Sequence, residues 1–168
     1  MYRATREFIQ ARQKHTDFRL SIISNVRKVG GGKANKCFEN SCAYTKASKL
    51  NGDKIVSLSG WLVQPYDKEK NCTAIIQHWW NGDVNGNHYD TSPLIGNDEE
   101  YVLDFALYEY SRINIEKIKS NVAMSLLYQD GEFSLLTDPD TMKFVETADL
   151  KTELLFNYLQ PKGTHYAD

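Results

Sequence analysis

The chain reads as a single α+β domain over residues 1–168, with N-terminal helices packed on a central antiparallel sheet and further helices after it. Three observations predict this. Apolar residues near the start recur at helical spacing. The middle of the chain holds runs rich in β-branched and aromatic residues, divided by Gly, Asn and Asp. The stretch "TADLKTELLFNYL" near the end returns to a helical pattern. At 41% hydrophobic and 25% charged the composition is that of an ordinary globular protein, without repeats or low-complexity tracts.

Taken in order, Tyr2, Phe8, Ile9 and Phe18 are spaced loosely like one face of a helix, which predicts helix to about His15. "FRLSIISNV" reads equally as a short strand or a second helix, and "VGGGKANK" as a flexible turn. Cys37 to Leu50, "CFENSCAYTKASKL", suits a helix that "NGDK" stops, with Gly52 just past its end. "KIVSLSGWLVQPY" predicts a long strand, bulged or bent at Gly60. After the polar turn "DKEKN", "CTAIIQHWW" predicts a second strand, "NGDVNGN" its turn and "HYDTS" a third, together an antiparallel meander. Glu99 to Tyr110 predicts a helix. "VAMSLLYQDGEFSLL" predicts a hairpin around Asp130-Gly131, and "TADLKTELLFNYL" a helix with Thr147 or Asp149 near its cap.

Charge limits the functions available. A formal net charge of −2 argues against a general nucleic-acid binder, which needs a basic surface. The first 36 residues are locally basic, with Arg3, Arg6, Arg12, Lys28 and others against Glu7 and Asp17, and read as a solvated face. Three cysteines, Cys37, Cys42 and Cys72, are an odd number at irregular spacing, so reduced thiols in the cytoplasm are expected rather than a disulfide framework. The charged start is no signal peptide, and no run approaches the roughly 18 apolar residues of a membrane span.

Cys37 sits where a glycine-rich turn becomes a helix. A helix start has unpaired N–H groups and the positive end of the dipole, which favour a thiolate and a developing oxyanion. The competing reading is a small buried hydrophobe. A nucleophilic cysteine needs an imidazole base, and the imidazole needs an acceptor. His78 ends a strand beside two tryptophans, and Asp90 lies in the next strand, across a tight turn. Singly, this histidine reads as structural and this aspartate as a turn residue; together the three supply nucleophile, base and orienting carboxylate.

"KCFENS", "GWLV", "QHWWN" and "HYDTS", in that order, resemble the core of the transglutaminase-like branch of the papain-like cysteine enzymes, over roughly Gly30 to Pro93. The resemblance implies a papain-like or transglutaminase-like core. It makes Cys37 the nucleophile, His78 the base and Asp90 the carboxylate, and needs no cofactor. Residues from 94 onward form a C-terminal elaboration that matches nothing in that pattern. The "NK" before Cys37 departs from the glycine or aromatic found in many members. Asn40 and Trp61 are candidates for a second oxyanion donor, and Trp79 and His88 for contact with substrate.

Other readings compete for the same residues. His88 shares a strand face with Asp90 and is an alternative base, but His78 can pair with Asp90 across strands. Zinc on Cys37, Cys42 and His78 with Asp90 is a poor match to ligand spacing, so no metal is expected. "GGGKANK" lacks the P-loop pattern, and "DVNGN" lacks the closing glutamate of a calcium loop. The first functional expectation is a cysteine-dependent amide or ester hydrolase, or a related acyltransferase, acting on a protein or small-molecule substrate. The second is a non-catalytic binding or sequestering protein on the same fold, of the host-takeover or counter-defence kind found in bacterial viruses. A third is an interaction domain whose "HWW" is plain core.

Overall fold

The computed structural model describes residues 1–93, 98–120, 123–138, 143–144 and 147–157. The chain is α+β. Its elements in order are α1 (Arg3–Gln13), β1 (Leu20–Ile23), β2 (Val26–Lys28), α2 (Cys37–Leu50), β3 (Ile55–Asp67), β4 (Cys72–Asp83), β5 (His88–Asp90), β6 (Glu100–Asp104), α3 (Phe105–Ile113), α4 (Ile115–Ser120), β7 (Ser125–Gln129), β8 (Glu132–Asp138), β9 (Lys143–Phe144) and α5 (Thr152–Asn157). The main sheet runs β1-β6-β3-β4-β7-β8-β9, with β5 on β4 and β2 on β5. Every pairing is antiparallel except β2 with β5, which is parallel.

Helix α1 and the whole of α2 lie where the sequence puts them, and Gly52, past the end of α2, has the positive φ of 84° that suits its glycine. The ambiguous "FRLSIISNV" resolves into the strand β1, with its last residue opening β2, so two strands as well as a helix precede α2. The expected helix over Glu99–Tyr110 is instead a strand to Asp104 and then a helix. Asp104 is the reason for the switch: its side chain accepts the Leu107 N–H at 2.9 Å and caps α3. The C-terminal helix begins at Thr152, later than Thr147 or Asp149, and the expected helical residues 158 and 159 lie outside the described set. Strand β3 is not bulged at Gly60. The pairing with β4 runs unbroken through it and shifts only between Pro65 and Asp67.

Strand alternation sorts the sheet residues into two layers. Trp61, Val63, Ile75 and Trp79 face the helices, forming the main core with Phe8 of α1 and Leu107 of α3. Phe8 meets Trp61 edge-on with ring centroids 5.3 Å apart, and Phe38 meets Trp79 at 4.9 Å. The opposite face carries a smaller cluster of Leu62, Trp80, Tyr101 and Leu103. Among the described residues no helix is long and apolar enough to cross a membrane.

One basic residue is not solvated. Arg12 is fully buried, and its guanidinium pairs with Asp104 at 2.9 Å while donating to the Leu150 carbonyl at 2.7 Å and to the Thr152 hydroxyl. Trp61 adds its indole N–H to the same Asp104 oxygen at 2.9 Å. This group joins α1, β3, β6 and the start of α5.

Candidate active site

Strand β4 pairs with β3 along one edge. Its other edge is shared: Thr73–Ile76 pair with β7, and Asn81–Gly82 pair with β5. The stretch His78–Trp80 lies between these two pairings, and here the first turns of α2 meet the sheet. Cys37 lies within electrostatic reach of the His78 ring, Phe38 packs on Trp79, and Ser41 Oγ donates to the Trp80 carbonyl at 2.9 Å. Asn81 then donates to the Ser41 carbonyl at 3.0 Å and to Thr45 Oγ1 at 2.9 Å. The helix is therefore seated by directed polar contacts, which set its position along the strand more sharply than apolar packing alone.

The loop that delivers Cys37 is fixed from both sides. Residues Val26–Lys28 run beside His88–Asp90, and the Val29 N–H donates to the Asp90 carbonyl at 2.9 Å. The Gly32 N–H donates to the Thr91 carbonyl at 2.8 Å. Asn40 clasps Lys33, accepting from its N–H at 3.0 Å and donating to its carbonyl at 2.8 Å. A Cβ on Gly32 would lie 2.3 Å from the Thr91 oxygen and 2.6 Å from the Asn40 amide, so glycine is required for this close approach. The N-cap residue of α2, Lys36, makes no side-chain capping bond to its first-turn N–H groups.

His78 Nε2 lies 2.9 Å from Asp90 Oδ2, and both side chains are buried. That contact leaves Nδ1 as the ring nitrogen not bonded to Asp90. Asp90 Oδ2 also accepts the Tyr101 hydroxyl at 2.6 Å, and Oδ1 accepts the Ser92 N–H at 2.8 Å. Burial opposes charge on His78, but hydrogen bonds and negative charge from Asp90 and Cys37 outweigh it and push the imidazole up to about 9. Burial likewise works against the Asp90 carboxylate, yet the His78 contact, Tyr101 and Ser92 hold it well below the usual range. Burial and the Asp90 charge push Tyr101 well up, so its hydroxyl remains a donor.

Of the residues singled out in the sequence, Cys37, His78 and Asp90 come together. Trp79 stands beside them on the helical layer. His88 does not serve as an alternative base: its Nδ1 accepts the Trp80 indole N–H at 3.1 Å, and burial pulls its pKa down. Trp80 stacks on His78 with an interplanar angle of 15°. Asn40 uses both polar atoms of its amide on Lys33, and Trp61 is buried with its indole on Asp104; neither faces the thiol as an oxyanion donor.

Lys28 and Tyr101 are the members the sequence reading passed over. One falls in the basic N-terminal run and the other in a stretch expected to be helical. The parallel β2–β5 pairing sets Lys28 opposite Asp90, and the pairing of β6 with β3 brings Tyr101 within hydrogen-bond reach of the same carboxylate. All three cysteines are free, and among the described residues no cluster of three or more His, Cys, Asp or Glu is arranged to hold a metal ion. No family model matches the chain, and searches of curated proteins and of solved structures return no match.

Proposed function

We propose that the chain is a cysteine-dependent acyl-transfer enzyme with a papain-like, transglutaminase-like core, working in a reducing compartment such as the cytoplasm. One observation carries the reading: a buried imidazole bonded at Nε2 to a carboxylate, 2.9 Å away, with the thiol at the start of a helix close enough to raise its pKa. A histidine serving only as core would need no thiol partner at an uncapped helix end. The Cys37 thiolate attacks the carbonyl carbon of an amide or ester, and first-turn N–H groups of α2 stabilise the oxyanion. As the tetrahedral intermediate collapses, the bond to the leaving group breaks and that group takes a proton from the His78 imidazolium. Water, or an amine, then gives a proton to His78 as it attacks the thioester, and the thiol is restored. Asp90 holds the ring and stabilises its charge throughout.

The test is iodoacetamide alkylation followed by peptide mass, with Cys42 and Cys72 as internal references. Cys37 is expected to react fast near pH 6, and slowly in His78→Ala. Turnover of an acyl substrate would fall by orders of magnitude in Cys37→Ala. If Cys37 instead follows an unassisted thiol, with a pKa of about 8.5, the catalytic reading is wrong and a sequestering role takes its place.

A further inference from the structure

Asp90 does more than meet His78. The carboxylate is bonded on both oxygens, and the partner sharing Oδ2 with the imidazole is the hydroxyl of Tyr101. That hydroxyl in turn accepts from the Lys28 ammonium, whose Nζ lies 3.8 Å from the same Asp90 oxygen and 3.7 Å from Glu99. The direction of this chain follows from donor counting. An ammonium only donates, and a phenol has one proton. With its oxygen occupied by Lys28, Tyr101 must give its proton to Asp90. The carboxylate is thereby required as an acceptor, and Oδ2 is held where the His78 N–H needs it.

The scaffold has been shaped to allow this reach. Tyr101 belongs to β6, separated from β4 by the whole width of β3. The β3 residue directly opposite His78 is Gly60, with no side chain to intervene. The Trp80 ring occupies that space instead, and a Cβ on Gly60 would lie 2.8 Å from it. Tyr101 packs edge-on to both His78 and Trp80, with centroids 5.9 and 5.5 Å away.

We propose that Tyr101, backed by Lys28, is a positioning residue that fixes Asp90 and, through it, the His78 ring against Cys37. The inference rests on the catalytic reading given above. The groups facing His78 are Asp90 on β5, Cys37 on α2, Tyr101 on β6 and Trp80 on its own strand; Lys28 with Glu99 stands behind Tyr101, and His88 behind Trp80.

Tyr101→Phe keeps the ring packing and removes only the hydroxyl. The full chain, with histidine labelled by nitrogen-15, is followed by NMR for water exchange of the His78 Nε2 proton, together with the pH profile of Cys37 alkylation. In Tyr101→Phe the proton is expected to exchange about tenfold faster, as for loss of one hydrogen bond to a charged group, with the thermal midpoint little changed. The alkylation profile is expected to move up toward that of an unassisted thiol. Lys28→Met is expected to move both readings the same way by less, and it decides the matter if Tyr101→Phe does not fold. Unchanged exchange and an unchanged profile in the folded variants would overturn the proposal and leave Tyr101 a packing residue. Repeating the exchange measurement on a Cys37→Ala background separates this from the catalytic reading. There the Nε2 proton still reports the hold on Asp90, whereas an ordinary Cys37 profile in the wild type would sink the enzyme reading alone.

Discussion

His78 ties the stability of the site to its ionisation. Its folded value of about 9 stands above the ordinary 6.5, so its contribution to stability is complete below about pH 6.5 and is lost as pH rises through about 9. Asp90 has the opposite sign. Its pKa is lowered from 3.8, so its contribution is present above that value and is lost only in strong acid. The thermal midpoint is therefore expected to decline from neutral pH toward pH 9, and the decline to flatten in Asp90→Asn, which removes the carboxylate bonded to His78. Calorimetry across that range checks it; a variant with the same decline as the wild type would assign the titration to another group.

At the scale of elements, the connection from β2 to α2 matters most. The clasp between Asn40 and Lys33 comprises two hydrogen bonds, and Asn40→Ala removes both. A loss of roughly 1–2 kcal/mol in urea unfolding is expected, with slower Cys37 alkylation because the loop no longer fixes the thiol. Gly60→Ala acts on the sheet itself. The new Cβ would lie 2.0 Å from the Val102 carbonyl oxygen, a backbone atom that cannot swing aside, so a cost of roughly 3 kcal/mol or more is expected in the same measurement. The sequence was informative where local chemistry decides. The α2 boundaries, the Asp130-Gly131 hairpin and the His78–Asp90 approach across a tight turn follow from composition and period. It was silent where distant segments meet. "FRLSIISNV" carries no sign that its last residue opens a strand pairing in parallel with residues much later in the chain. Glu100–Asp104 reads as helical because Asp104 and the helical residues after it fall in the same window. Gly60 shows the ambiguity plainly: a strand glycine signals either a bend or a close approach, and only the neighbouring Val102 carbonyl and Trp80 ring tell which.

Across the whole molecule, the Arg12–Asp104 pair fastens the helical layer to the sheet. Arg12→Ala would leave a buried carboxylate without its counter-charge, although the Trp61 indole and the Leu107 N–H still bond it. A loss of about 3–5 kcal/mol is expected, read from denaturant unfolding with Trp61 among the fluorescent reporters. The His78 and Tyr101 side of the site lies on the opposite face of the sheet, around the smaller cluster, while Cys37 packs against the main core away from Arg12. Damage to Arg12 is thus expected to lower the amount of folded protein while the surviving molecules keep the wild-type Cys37 profile. The same assay on Asn40→Ala, which touches the loop directly, should show the reverse pattern: modest unfolding and a changed profile.

The parallel pairing of Val26–Lys28 with His88–Asp90 also sets an order in time. A ladder of three rungs between remote segments cannot close until the later one has been synthesised. The ribosome makes the sulfur first, its base next, the carboxylate after that and Tyr101 last. On the proposed catalytic reading, a nascent chain halted before residue 88 is expected to carry Cys37 as a plain thiol, reactive only once translation has supplied the strand that carries Asp90.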